Sequence, residues 1–339
     1  MLIRALLYVS GVIVLAGLGT AVFLLNTFEA LPVDPEWELT PADPPPPGAI
    51  SVRFTGTSTL LFSDGETNWM VDGWFTRFGP LAMLGGKIEP DVDAILWGLG
   101  RNEVEDLAVV IPVHSHFDHA MDAPEVAMRT GALLLGSEST ANIGRGWGLA
   151  ESRIRVAVDR EPVQFGAFTI TLIHSRHFEF PDPEVRERAL ADPRIEAPLV
   201  PPVGVFEYKV GQPYAIHVSH PKGRFLIQAS AGFADGGFRD FPAETVFLGI
   251  GGIETQTEDY RDRYWRETVE EVGATRVIPI HYDSLTGPIE GPFTGEVRAA
   301  AFLSAGGATL RSYLTEKLAA GKGLRIGTLP RYAPVVLFP

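Results

Sequence analysis

Three histidines and an aspartate fall within six residues, His114-Ser115-His116-Phe117-Asp118-His119, in a chain that has eight histidines among 339 residues. Imidazole nitrogen suits zinc, copper, iron and nickel, and a carboxylate adds a harder oxygen donor. Side chains alternate along extended backbone, so His114 and His116 project to one side. Asp118 and His119 come after the chain has turned and face a second point nearby. The preceding run, Leu107-Ala108-Val109-Val110-Ile111, is short and β-branched, which predicts a buried strand. The cluster then sits at a strand's C-terminal end, where open α/β sheets collect ligands. A polar loop that happens to be rich in histidine is the plain alternative. Packing three of eight histidines into one hexapeptide weighs against it.

The elements around this stretch alternate between strand and helix. Ser51-Val52-Arg53-Phe54 and Thr59-Leu60-Leu61-Phe62 flank Gly56-Thr57-Ser58 as a hairpin, and Trp69-Met70-Val71-Asp72-Gly73 follows as another strand. Residues 123–130 read as a helix with Pro124 in its first turn. Residues 132–135 read as the next parallel strand, and 137–148 as a loop ending in the glycine-rich Gly144-Arg145-Gly146-Trp147-Gly148. Phe168 to Ile173 alternates clearly, and His174-Ser175-Arg176-His177 closes it. Residues 180–204 carry six prolines and a short helical stretch at 184–191. Loops of that length are often lids or binding segments, and a substrate-covering lid is expected here. Residues 214–220 read as an edge strand whose His217 and His220 are not ligands. Residues 276–283, Arg276 to Asp283, read as another strand, with His281 near its end.

Composition narrows the function classes. Hydrophobic residues make up 45% of the chain, enough for a large core. There is no cysteine, hence no disulfide and no thiolate ligand. The net charge of −14 argues against affinity for nucleic acid, which needs basic surface.

The N-terminus suggests a membrane. Residues 5–25 carry no charge and suit one crossing, which needs about 20 apolar residues. Arg4 before them and acids after them place the body outside the cytoplasm, on the periplasmic side. Residues 1–30 are therefore expected to be an uncleaved transmembrane anchor, since a signal h-region usually spans only ~7–15 residues. The competing reading is a cleaved signal peptide, with Gly19-Thr20-Ala21 as its site and a secreted body. Residues 31–48, with seven prolines, read as an extended linker holding residues 49–339 clear of the lipid.

The hexapeptide resembles the His-x-His-x-Asp-His signature of the metallo-β-lactamase superfamily, and a looser resemblance runs from about Ser51 to the C-terminus. The pattern is most similar to the branch of ascorbate-lactone hydrolases and of phospholipase D-type enzymes that cleave N-acyl phosphatidylethanolamines. The resemblance implies an α/β fold, an αββα sandwich, with one or two Zn²⁺ ions; Mn²⁺ or Fe is also compatible. It implies one metal set of His114, His116 and His177, and a second of Asp118, His119 and His281. His177 is preferred over His174 because His177-Phe178 fits the branch's histidine-then-aromatic pattern; His174 is left as a pocket or supporting residue. By the same analogy Asp72 supports the metal loop without ligating.

The sequence departs from the family at one position. Ser230 stands where the family has the aspartate that bridges two metals, and Asp235 is the candidate substitute if the loop folds back. The implied activity is metal-dependent hydrolysis of an ester, lactone or phosphodiester, by metal-activated water that ionises near neutral pH, with Asp118 orienting that water or holding the second ion. Small molecules and membrane or envelope lipids are both open as substrates. The alternatives are a metal-binding protein without catalysis and a di-iron redox enzyme.

Overall fold

The computed structural model describes residues 2–79, 82, 85–301, 306–321 and 323–339. Among them are two seven-stranded sheets. Across the first, the strand order is Val335–Phe338, Ile50–Gly56, Thr59–Ser63, Asn68–Val71, Val109–Ile111, Leu133–Gly136, Ile154–Val156. Across the second it is Arg325–Ile326, Arg276–Ile280, Thr245–Gly249, Gly223–Gln228, Tyr214–His220, Phe168–His174, Pro162–Phe165. The sheets face each other across an aromatic core: Phe62 stacks on Trp69 of its own sheet (4.5 Å) and on Phe225 of the other (4.8 Å).

Alternation along each strand explains the layers. In Asn68–Val71, Trp69 and Val71 point into the core between the sheets, while Met70 points outward. Val109 and Ile111 likewise face inward and Val110 outward. The outward set packs against Ile95 and Leu99 of the helix Val92–Arg101 and Val126 of the helix Ala123–Thr130. Because Val109–Ile111 is parallel to both neighbours and covered on both faces, its residues are all apolar. On the far side, Tyr264 of the helix Glu258–Trp265 donates its hydroxyl to Gly249 O at 2.8 Å and so ties that helix to the second sheet. The layers run helix, sheet, sheet, helix, a mixed α/β arrangement consistent with the metallo-β-lactamase fold.

Three expectations need correction. The stretch 137–148 is a helix, Glu138–Trp147, whose N-cap Ser137 accepts from Thr140 N. Its glycines are there for close approach. A Cβ on Gly146 would meet Leu199 O at 1.9 Å, and one on Gly144 would meet Leu134 at 2.8 Å. Glycine's low helix propensity hid a helix that tertiary packing demands. The strand Tyr214–His220 is interior to its sheet, paired on both sides. The third concerns the membrane. Leu2–Asn26 is a helix, but among the described residues no helix is long and apolar enough to cross a membrane. The single-pass membrane location and the membrane partner are withdrawn.

Residues 31–48 run along the body. Leu39 N donates to Thr328 O (2.9 Å), Thr328 N to Trp37 O (2.9 Å) and Ala42 N to Pro334 O (2.8 Å). Val33, 5% exposed, belongs to the main core.

Candidate metal centre

The strand Val109–Ile111 ends in the histidine loop, and backbone bonds fix the loop at several points. Val113 N donates to Asp72 Oδ1 (2.9 Å), Ser115 N to Val210 O (2.9 Å) and Tyr214 N to Val113 O (2.8 Å). After His116 the chain turns into the short helix Phe117–Ala120, which carries Asp118 and His119 away from His114 and His116. His177 arrives just past the end of the strand Phe168–His174, and His281 just past Arg276–Ile280.

These residues meet as two groups, His114–His116–His177 and Asp118–His119–His281; within each, one ligand atom per residue lies within 4.8 Å of the others. The groups adjoin, the rings of His114 and His119 being 3.9 Å apart. In the first, His114 Nε2 is 3.0 Å from His116 Nδ1. In the second, Asp118 Oδ2 lies 3.4 Å from His119 Nε2 and 3.3 Å from His281 Nε2.

The opposite ring nitrogens are held by partners that fix which nitrogen faces the centre. His177 Nδ1 donates to Phe178 O (2.7 Å). His119 Nδ1 donates to Asp72 Oδ2 (2.8 Å), which also accepts from Ser58 Oγ (2.5 Å). His114 Nδ1 is 3.1 Å from Ser230 Oγ. Ser230 thus stands behind His114, on the ring nitrogen away from His116. Asp235 does not replace the missing carboxylate: its Oδ1 accepts from Arg263 at 2.7 Å and its side chain is 62% exposed. His174 is not a pocket residue either. As the last residue of its strand it is exposed, and its backbone N donates to Asp159 Oδ1.

The electrostatics suit a cation. Burial, reinforced by neighbouring imidazoles, pushes His114 and His177 well below the ordinary histidine range and His116 to about 4. Three neutral imidazoles are the form that ligates a metal. Burial would raise the Asp118 carboxyl, but His119 and His281 hold it below the ordinary carboxylate range. Burial alone would lower His119, yet Asp118 and Asp72 raise it. His116 Nε2 is buried with no hydrogen-bond partner. Buried neutral imidazoles at His114, His116 and His177 beside an ionised Asp118 fit a divalent ion.

Two features had no signal in the sequence. Ser58 looked like part of an ordinary turn, and Asp283 like the last residue of the strand that carries His281. Phe178 and Phe180 stack on His177, with centroids 4.6 and 5.3 Å away, and form an apolar wall beside the first group.

No family model matches the sequence, and no curated protein does. Solved structures do. Igni18, a novel metallo hydrolase from the hyperthermophilic archaeon Ignicoccus hospitalis KIN4/I, is similar to this chain with a TM-score of 0.52 and 16% identity, over 85% of this chain and 97% of that one. The chain shares the fold of that metallo hydrolase. Isothiocyanate hydrolase from Delia radicum gut bacteria gives 0.49 and 14%, over 86% and 99%. The metallo-β-lactamase fold protein YhfI from Bacillus subtilis gives 0.46 and 16%, over 85% and 99%. At such identities the likeness to Igni18 speaks for architecture alone. The lactone-hydrolase and phospholipase branch is not singled out by these likenesses.

Proposed function

We propose that this chain is a metal-dependent hydrolase of small-molecule substrates, acting on an ester, lactone or phosphodiester. The observation that carries this reading is the pair of adjoining ligand groups, in which His114, His119 and His177 have their outer nitrogens already held by fixed partners. Zn²⁺ suits three imidazoles with an open position, and Mn²⁺ or Fe suits the aspartate-containing group. A bound divalent ion supplies Lewis acidity, which makes water a nucleophile near neutral pH and polarises the acceptor oxygen. His114, His116 and His177 would hold the first ion, and Asp118, His119 and His281 the second. Asp118 Oδ2, kept ionised between two imidazoles, orients water or ligates. Phe178 and Phe180 exclude solvent on one side and favour an apolar group next to the scissile bond. The proline-rich loop 180–204, whose helical turns are Pro183–Arg186 and Glu187–Ala191, begins at that wall and forms the lid.

The test is elemental analysis of the purified chain, combined with a panel of chromogenic esters, lactones and phosphodiesters. Metal content with turnover of one class, lost on chelation and restored by Zn²⁺ or Mn²⁺, supports the reading. Metal-free protein that cannot be loaded, or hydrolysis indifferent to chelator, contradicts it.

A further inference from the structure

The second ligand group is built from three residues on two distant stretches of chain, and one hairpin turn touches both stretches. Thr57 O accepts from His281 N at 2.5 Å, which fixes the backbone of one ligand. One residue on, Ser58 Oγ lies 3.0 Å from His119 Nδ1 and donates to Asp72 Oδ2 at 2.5 Å, which fixes the ring of the other. The turn is itself anchored from behind, because Asp283 Oδ1 accepts from Thr57 N at 2.6 Å. Gly56 makes room for that anchor: a Cβ there would meet Asp283 Oδ2 at 2.5 Å.

The backbone records the same constraint. Thr57, Asp72 and His281, none of them glycine, adopt φ of 53°, 59° and 58°. Left-handed backbone at such residues is unfavourable and persists only where the surroundings over-determine it. Here the three are linked through Thr57 O, Ser58 Oγ and Asp283. Among the described residues the turn makes no hydrogen bond to the first group, whose outer partners are Ser230 and Phe178 O.

We infer that the Gly56-Thr57-Ser58 turn, anchored by Asp283, sets the metal affinity of the Asp118–His119–His281 group separately from that of the first group. Ser58 and Asp283 are positioning residues. The inference rests on reading both groups as metal sites. It also gives the missing bridge a consequence: with Ser230 behind His114, the second ion would depend on how well the turn presents His119 and His281.

The experiment titrates the full chain, stripped of metal, with Co²⁺, read by visible absorption and calorimetry. Wild type should bind two equivalents. Ser58→Ala and Asp283→Ala should each weaken one class of site by about 10–100-fold, the scale of losses behind a metal ligand, and leave the other class unchanged. Asp283→Asn keeps an oxygen for Thr57 N and should recover most of the loss. Circular dichroism establishes folding, and if Asp283→Ala fails to fold, Ser58→Ala carries the test. Equal weakening of both classes, no weakening in Ser58→Ala, or no recovery in Asp283→Asn overturns the inference. Wild type that binds no Co²⁺ removes the metal-site reading itself.

Discussion

Each histidine that faces the first group reaches it through one nitrogen, and two of the three have the other nitrogen occupied. His116 differs in that its buried Nε2 makes no hydrogen bond. His116→Ala should abolish turnover and remove one of two bound metals, checked by assay and metal analysis; unchanged rates would dismiss it as a ligand. Ser230→Ala removes the oxygen behind His114 Nδ1 and should weaken the site formed by His114, His116 and His177 by about tenfold, with no change in the number of sites. Loss of an entire site in that variant would mean Ser230 ligates after all. At this scale the sequence was informative wherever a motif fixes spacing. His114, His116, Asp118 and His119 lie within one turn of chain, so their proximity is local. The choice between His174 and His177 was not local: strand alternation puts His174 at an exposed strand end beside Asp159, and only the fold shows it.

Elements hold these residues through buried polar contacts that carry no motif. Asp122, just before the helix Ala123–Thr130, accepts from Phe75 N (2.8 Å), Thr76 N (2.7 Å) and Thr76 Oγ1 (2.8 Å), fastening the segment after Asp72 to the metal loop. Burial lifts its carboxyl to about 6, against the lowering effect of those donors. An unfolded aspartate titrates near ~4. Between about pH 4 and 6 the folded state therefore binds the proton that the unfolded state releases. The contribution of Asp122 to stability falls as pH rises through that window and stays at its lower value above it. Denaturant melts of wild type and Asp122→Asn across pH 4–7 should show the wild-type advantage shrinking as pH rises; a pH-independent difference would contradict the assignment. Helix Glu138–Trp147 makes the same point about packing. Its glycines argued for a loop, whereas Gly146 lets Leu199 O approach. Gly146→Ala forces backbone apart and should destabilise by about 1–3 kcal/mol in urea, despite alanine's better helix propensity.

Over the whole molecule, the strands on either side of the histidine loop were legible because apolar runs and period-two alternation survive in the sequence. Residues 31–48 were not, because seven prolines suggest an extended spacer whether or not the chain is docked. Docking of this segment through Leu39, Ala42 and Val33 predicts unequal truncations. Removing residues 1–26 should leave the melting temperature nearly unchanged, while removing 1–48 strips Val33 from the core and should lower stability by about 1–3 kcal/mol or more. Equal effects would show that the strap adds nothing. The most direct test of the centre itself is a crystal of the metal-loaded chain with anomalous maps at the metal edge. Two peaks are predicted: one about 2.0–2.1 Å from nitrogens of His114, His116 and His177, the other touching Asp118, His119 and His281. Loaded protein whose anomalous peaks all lie away from these side chains would contradict the account.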